Sequence, residues 1–161
     1  MTSFNSKDFR KALGTFTTGI TVVTTFSDTS EPVGITVNSF TSVSLEPPLV
    51  LWCLDNNADS YQDFANGNNF AIHVLHEEQK NLSDNFAFKD SNKFSDIEWA
   101  TGKVGTPVLG DFSSCFECEV EDKYSAGDHL ILLGRVLKFE MRDNNAPLIY
   151  YEGNYQKLNI K

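Results

Sequence analysis

Apolar, β-branched runs alternate with polar breaks at short intervals along this chain. Residues 34–54, GITVNSFTSVSLEPPLVLWCL, show the pattern most densely. A strand-like run at 34–37 gives way to Asn38-Ser39, a second run covers 40–45, Glu46-Pro47-Pro48 follows, and 49–54 is apolar throughout. β-Branched and aromatic residues suit a pleated, half-buried surface. A proline pair cannot donate to a central ladder, so the prolines are expected in the connection. Thr36, Asn38, Ser39, Thr41, Ser42 and Ser44 interrupt these runs. Buried hydroxyls and amides need partners. Either the backbone supplies them here or a flat, polar ligand does.

The same reading extends along the chain. Residues 4–14 predict a short helix, with Phe9, Leu13 and Phe16 at helical spacing, Ser6 as N-cap and Gly14 as stop. Residues 19–26 (GITVVTTF) predict a strand and 27–32 a turn. Residues 55–68 begin as a loop and become a helix capped by Asp59 or Ser60, with Tyr61, Phe64 and Ala65 on one face. Residues 70–75 (FAIHVL) predict a short strand, and 77–88 an amphipathic helix with Leu82, Phe86 and Ala87 inward. Residues 89–110 read as an irregular excursion anchored by Phe94, Ile97 and Trp99. Residues 112–122 predict a strand with Phe112, Ser114, Phe116, Cys118 and Val120 on one face. Strands at 129–139 and 147–151 complete the pattern. About seven strands at short spacing, with a few helices between them, argue for an all-β barrel or sandwich rather than a parallel α/β sheet.

Composition narrows the function classes. A length of 161 residues predicts one domain, residues 1–161, and 13 Phe with 2 Trp give it a sizeable core. The formal charge of −9 disfavours nucleic acid or an anionic membrane as general partners. No apolar run reaches the roughly 18 residues of a membrane span, and MTSFNSKDFRK lacks a signal-peptide core, so a cytoplasmic location is expected. Cys53, Cys115 and Cys118 are an odd set suited to reduced thiols. Cys115-Phe-Glu-Cys118 has redox or zinc spacing but sits in a strand-like pattern with no second pair, so a structural role is expected. His73 and His76 straddle a strand end and do not make a metal pair. Neither a Rossmann nor a Walker glycine loop is present, nor a nucleophile elbow.

Specific wording then points further. Phe9-Arg10, Leu13-Gly14, Phe16 and Thr18-Gly19-Ile20-Thr21-Val22-Val23-Thr24-Thr25 resemble the opening of the flavin reductase family. The resemblance continues through Pro32-Val33-Gly34, Asn38-Ser39-Phe40, the stretch from Ser42 to Leu51, Ser60, Gln79, Leu82, Phe86, Gly127-Asp128-His129, Gly134-Arg135-Val136, and Pro147-Leu148 with Tyr151, Gly153 and Tyr155. These residues are similar to the small reductase components of two-component flavin monooxygenases. The resemblance implies an FMN-binding split β-barrel, Greek-key-like and antiparallel with peripheral helices. It also implies a homodimer with its flavin site near the subunit interface, and hydride transfer from NADH or NADPH to FMN or FAD. The reduced flavin would serve a partner monooxygenase. A flavin-binding electron-transfer or sensor module is the alternative.

The resemblance also assigns residues. Val33, Gly34, Ile35, Thr36, Asn38 and Ser39 would meet the ring system and ribityl chain; Cys53, Leu54 and Asp55 would line the pocket. Ser60 would bind phosphate beside free backbone N–H groups, and Asn85 and Phe86 would close the far end. His129 would orient the nicotinamide, with Tyr150, Tyr151, Glu152 and Gly153 nearby. No metal is implied. From the residues alone, Asn38-Ser39 equally fits a turn, Ser60 an N-cap, Val33 to Thr36 a core strand and His129 a structural histidine. Many relatives carry a basic residue where this chain has Asp59, and some where it has Asn85. A carboxylate beside a phosphate repels it, which implies weak phosphate capture and flavin treated as a diffusing substrate.

Overall fold

The computed structural model describes residues 4–89, 92–142 and 146–158. Its central element is a seven-stranded antiparallel sheet in the order β3-β2-β6-β9-β10-β5-β4. The strands are β2 (Thr21–Phe26), β3 (Pro32–Val37), β4 (Thr41–Leu45), β5 (Pro48–Asp55), β6 (Asn69–Val74), β9 (Ser114–Ala126) and β10 (His129–Met141). A three-stranded sheet joins β1 (Thr18–Gly19), β11 (Ile149–Tyr151) and β12 (Asn154–Gln156). A hairpin of β7 (Trp99–Thr101) and β8 (Pro107–Leu109) stands apart. The helices are α1 (Ser6–Leu13), α2 (Tyr61–Asn66) and α3 (Lys80–Ala87), the last preceded by a 3-10 turn at Glu77–Gln79.

The sheet curls on itself. Val33, Ile35 and Val37 come from the β3 end of the strand order, and Val50, Trp52 and Leu54 from β5 near the other end, yet all pack on one core with Phe64, Phe70 and Leu132. Trp52, Leu54, Phe70 and Leu132 are fully buried. Gly134 makes this closure possible, because a Cβ there would lie 3.1 Å from Cys118 Cβ and collide with the Phe70 ring. A register shift between Leu133 and Gly134 falls at the same place, as expected where a bulge bends a strand.

Several expectations shift at their boundaries. Asn5, not Ser6, caps α1: its side chain accepts the Asp8 N–H at 2.8 Å. Pro48 is not in the connection but opens β5 opposite Leu45. The β10 ladder begins one residue later, at Leu49, so the missing proline N–H costs nothing there. The run 19–26 breaks at Ile20, where pairing passes from β11 to β3 and β6. Phe112 precedes β9, so alternation does not reach it; it packs with Ala71 and Cys115, away from Phe116 and Cys118. Ala87 is exposed, because Ser83 and Phe86 form the buried stripe of α3.

The excursion at 89–110 contains the β7–β8 hairpin, which three side chains latch to the barrel. His73 Nε2 accepts the Leu109 N–H at 3.2 Å while Nδ1 faces Val22 O at 3.1 Å. The Thr24 hydroxyl donates to Pro107 O, and Glu117 accepts the Val104 N–H at 3.1 Å. Phe94, Ile97 and Trp99 pack against the second core around Leu75, Phe86 and Leu109, as expected.

Candidate active site

β3 is an edge strand, paired with β2 on one side only. The Gly34 carbonyl accepts Lys93 Nζ at 3.3 Å, which turns it away from β2. In an antiparallel ladder the N–H and C=O of one residue point the same way, and neighbours alternate. Gly34 and Thr36 therefore present backbone donors and acceptors to the open side, and neither N–H has a backbone partner in a turn or loop among the described residues.

Three cavities follow this edge. The first, of about 200 Å³, is bounded by Pro32, Val33, Gly34, Asp59, Ser60, Asp63, Lys93 and Phe94. The second, also about 200 Å³, lies against Thr36, Val37 and Asn38, with Ala87, Tyr150 and Tyr155 opposite. The third, about 590 Å³, shares Asn38 and Tyr150 with the second and opens onto Arg10, Leu13, Phe16, Thr18 and Gly153.

Helix α3 makes the groove rigid from behind. A Cβ on Gly34 would sit 2.5 Å from Phe86 Cε1, so glycine is what lets the strand lie against that fully buried ring. The Thr36 hydroxyl donates to Ser83 O at 2.6 Å. Ser83 Oγ and the Tyr155 hydroxyl lie 2.8 Å apart, joining α3 to β12. Asn85 Nδ2 donates to Lys93 O at 2.7 Å, and Lys93 Nζ donates to Phe86 O at 3.0 Å. Glu152 and Gly153 take positive φ in the tight turn between β11 and β12, and the Glu152 N–H donates to Gly14 O at 2.9 Å. That bond sets α1 beside Tyr150.

The polar end answers the question raised by Asp59. Lys89 Nζ lies 3.0 Å from its carboxylate, and Lys93 lines the same cavity, so the local charge is balanced. Ser60 stands at the start of α2, yet its hydroxyl makes no capping bond. The N-cap reading thus leaves that hydroxyl unexplained. Burial pushes the Asp63 carboxyl up, Asp28 adds to this, and a backbone hydrogen bond opposes it.

Of the expected residues, Val33, Gly34, Thr36, Asn38, Ser60, Tyr150 and Gly153 line these cavities. Asn38 is exposed, and its amide forms no hydrogen bond with a described residue. Ile35 and Leu54 point into the core, and Phe86 is the wall behind Gly34. The Ser39 hydroxyl donates to Cys53 O at 3.0 Å and accepts the Cys53 N–H at 2.9 Å, replacing a ladder pair. Asp55 accepts the Asn57 N–H at 2.8 Å and pairs in register with His129. His129 Nδ1 lies 2.7 Å from Asp128 Oδ1 on a partly exposed corner. Cys53, Asp55, His129, Tyr151 and Glu152 do not line the three cavities within one chain. Residue-type reading missed Lys89, Lys93 and Arg10, since a lone cation in a polar stretch gives no pattern.

Cys115 and Cys118 serve different packing clusters, and burial first, then neighbouring negative charge, pushes both thiols up to about 12. Among the described residues, no group of His, Cys, Asp and Glu is placed to hold a metal.

A curled antiparallel barrel with an open edge groove defines the class: this is a split barrel. The chain belongs to the flavin reductase like domain family, whose model matches residues 13–159. It is 43% identical over 151 residues to "FMN reductase (NADH) SmoA" of Agrobacterium fabrum, covering 94% of this chain and 85% of that protein. It is 41% identical to the reductase component of the flavin-dependent trigonelline monooxygenase of Acinetobacter baylyi, covering 92% of this chain and 48% of that one. The chain spans about half the length of some of the curated relatives it matches. Among solved structures, the NADH:FAD oxidoreductase SgcE6 of Streptomyces globisporus C-1027, in complex with NAD and FAD fragments, superposes with a TM-score of 0.89 at 33% identity, covering 98% of this chain and 97% of that one.

Proposed function

We propose that this chain is an NADH-dependent flavin reductase that supplies reduced FMN or FAD to a partner flavin-dependent monooxygenase. The observation that carries this reading is the unpaired β3 edge. Along that edge Gly34 borders the first cavity, its carbonyl held by Lys93, and Thr36 borders the second beside the unpartnered Asn38 amide, in a chain of this family. A flavin edge of carbonyls and ring nitrogens needs such short donors and acceptors on a rigid element, and the strand pinned by α3 provides one. Ser60 and Lys93 offer the phosphate end a hydroxyl and a positive charge. NADH as donor is supported by the name of the Agrobacterium relative.

Flavin held here would accept a hydride from NADH together with a proton from solvent, giving reduced flavin and NAD+. This chemistry asks mainly for positioning. Gly34 and Thr36 hold the ring edge, Phe86 and Ser83 stop the strand from yielding, and His129, fixed by Asp128, orients the nicotinamide. His129→Ala is expected to lower kcat/KM for NADH by about tenfold or more while FMN affinity stays unchanged. An unchanged rate and KM would remove His129 from the site. Crossing NADH and NADPH with FMN, FAD and riboflavin in a steady-state assay tests the wider reading. Flavin-dependent consumption of NADH is expected; bound flavin with NADH untouched would contradict it.

A homodimer belongs to the same proposal. The outer face of β5 and β10 carries Leu49, Leu51, Cys53, Ile131 and Leu133, all half-buried and outside the chain's core clusters. Ile131 lies opposite Cys53 and Leu133 opposite Leu51, so these side chains form one apolar sheet face. Such a face is costly to leave in water, and a second copy would cover it. Light scattering is expected to give twice the 18.0 kDa chain mass, and Leu133→Glu a folded monomer. A monomeric parent protein would refute this part. A cytoplasmic location fits the unpaired thiols of Cys53, Cys115 and Cys118.

A further inference from the structure

The largest of the three cavities carries a feature that the flavin reading does not use. Arg10, on α1, lines it beside Thr18, Asn38 and Tyr150, and its guanidinium forms no hydrogen bond or ion pair with a described residue. The Thr18 hydroxyl on the same wall is shielded from solvent and has no partner either. An exposed guanidinium that no described residue engages and a shielded hydroxyl without a partner therefore border the same cavity, at the end of the groove that also carries Asn38 and Tyr150. The Asp128 carboxyl is held below the usual carboxylate range, first by its hydrogen bond with His129 and, in smaller part, by the charge of Arg10. Arg10 thus lies within electrostatic reach of the corner that holds His129.

We infer that Arg10 binds the pyrophosphate of the nicotinamide dinucleotide, anchoring it in the cavity bounded by Thr18, Asn38 and Tyr150. The inference rests on the NADH-dependent reading above and adds a residue to it. The chemistry is specific to this end of the groove. A dinucleotide brings two negative charges on adjacent phosphates, and a planar guanidinium meets phosphate oxygens through paired, charge-assisted hydrogen bonds. In a chain of net charge −9, an unpaired cation facing a cavity of about 590 Å³ creates local attraction for an anion that the rest of the surface repels.

Binding and turnover test this together. Arg10→Gln and Arg10→Lys are compared with the parent protein by calorimetry with NAD+, which binds without turnover, and by steady-state assays with NADH and NADPH at saturating FMN. In Arg10→Gln, NAD+ affinity is expected to fall, and both reduced nucleotides to rise in KM, by about tenfold or more. FMN affinity and the melting temperature are expected to stay as in the parent. Arg10→Lys, which keeps the charge and loses the fork, is expected to fall in between. Raising ionic strength is expected to weaken NAD+ binding to the parent more than to Arg10→Gln. Unchanged NAD+ affinity, an equal fall in FMN affinity, or a loss confined to NADPH, which would place Arg10 on the 2′-phosphate, would each overturn the assignment. Failure of the broader reading looks different: the parent protein itself would not oxidise NADH.

Discussion

Phe86→Ala is expected to cost about 3–5 kcal/mol of folding stability, the usual range for emptying a buried phenylalanine site. Phe86 is fully buried, and its ring meets Phe94 edge-on at 5.0 Å between centroids. It also supports the Gly34 backbone, so its loss leaves a void directly behind the candidate flavin edge. FMN affinity is therefore expected to fall even where the variant is still folded. Phe86→Leu, which refills part of the void, should recover much of both losses. Urea unfolding monitored by tryptophan fluorescence, followed by FMN titration of each variant, checks the two effects separately. Unaltered unfolding and flavin binding in Phe86→Ala would show that the wall behind Gly34 has no role.

The second large effect is an acid-dependent loss of stability centred on His73. Burial first, then the charge of Arg142, lowers its pKa from 6.5 to about 4 against the opposing pull of the Val22 carbonyl and Glu117. The neutral ring is what the fold uses, because Nε2 accepts the Leu109 N–H. The unfolded chain therefore binds more protons between pH 6.5 and about pH 4, and stability rises with pH across that window. The contribution is complete above pH 6.5 and is lost on acidification through about pH 4, amounting to about 3 kcal/mol. His73→Gln keeps a donor and an acceptor but does not titrate, so its stability should fall less over the same window. Equal slopes for both proteins would contradict this. The β7–β8 hairpin, which His73 latches through Leu109, should be the first segment to lose hydrogen-exchange protection on acidification.

The sequence resolved the long strands because their signal is strong. In β5, Val50, Trp52 and Leu54 alternate with Leu49, Leu51 and Cys53, and runs of that length leave little choice of structure. The β7–β8 hairpin was illegible: two three-residue strands in a polar stretch carry no periodicity, and His73, Thr24 and Glu117 from elsewhere in the chain hold it in place. The apolar spacing of Phe9, Leu13 and Phe16 did mark a helix, but these residues are exposed in one chain. Helical spacing reports an apolar face without saying which surface covers it.

The candidate site divides in the same way. As residue types, the short polar groups around β3 look equivalent. In space they separate. Thr36 fastens β3 to α3, Ser39 replaces a ladder pair with Cys53, and Asn38 is left facing the cavities. Hydroxyls can turn to any nearby carbonyl, so which of them is spent on the fold depends on distant segments that local sequence does not place. Asp59 shows the same limit: its carboxylate looks hostile to phosphate until Lys89 is placed 3.0 Å away.

The most direct test is a crystal structure of the protein with FMN. The isoalloxazine edge is expected against the backbone of Gly34 and Thr36 and the side chain of Asn38, with the phosphate toward Ser60 and Lys93. A flavin lodged elsewhere, or a β3 groove closed by the protein's own side chains, would contradict the account.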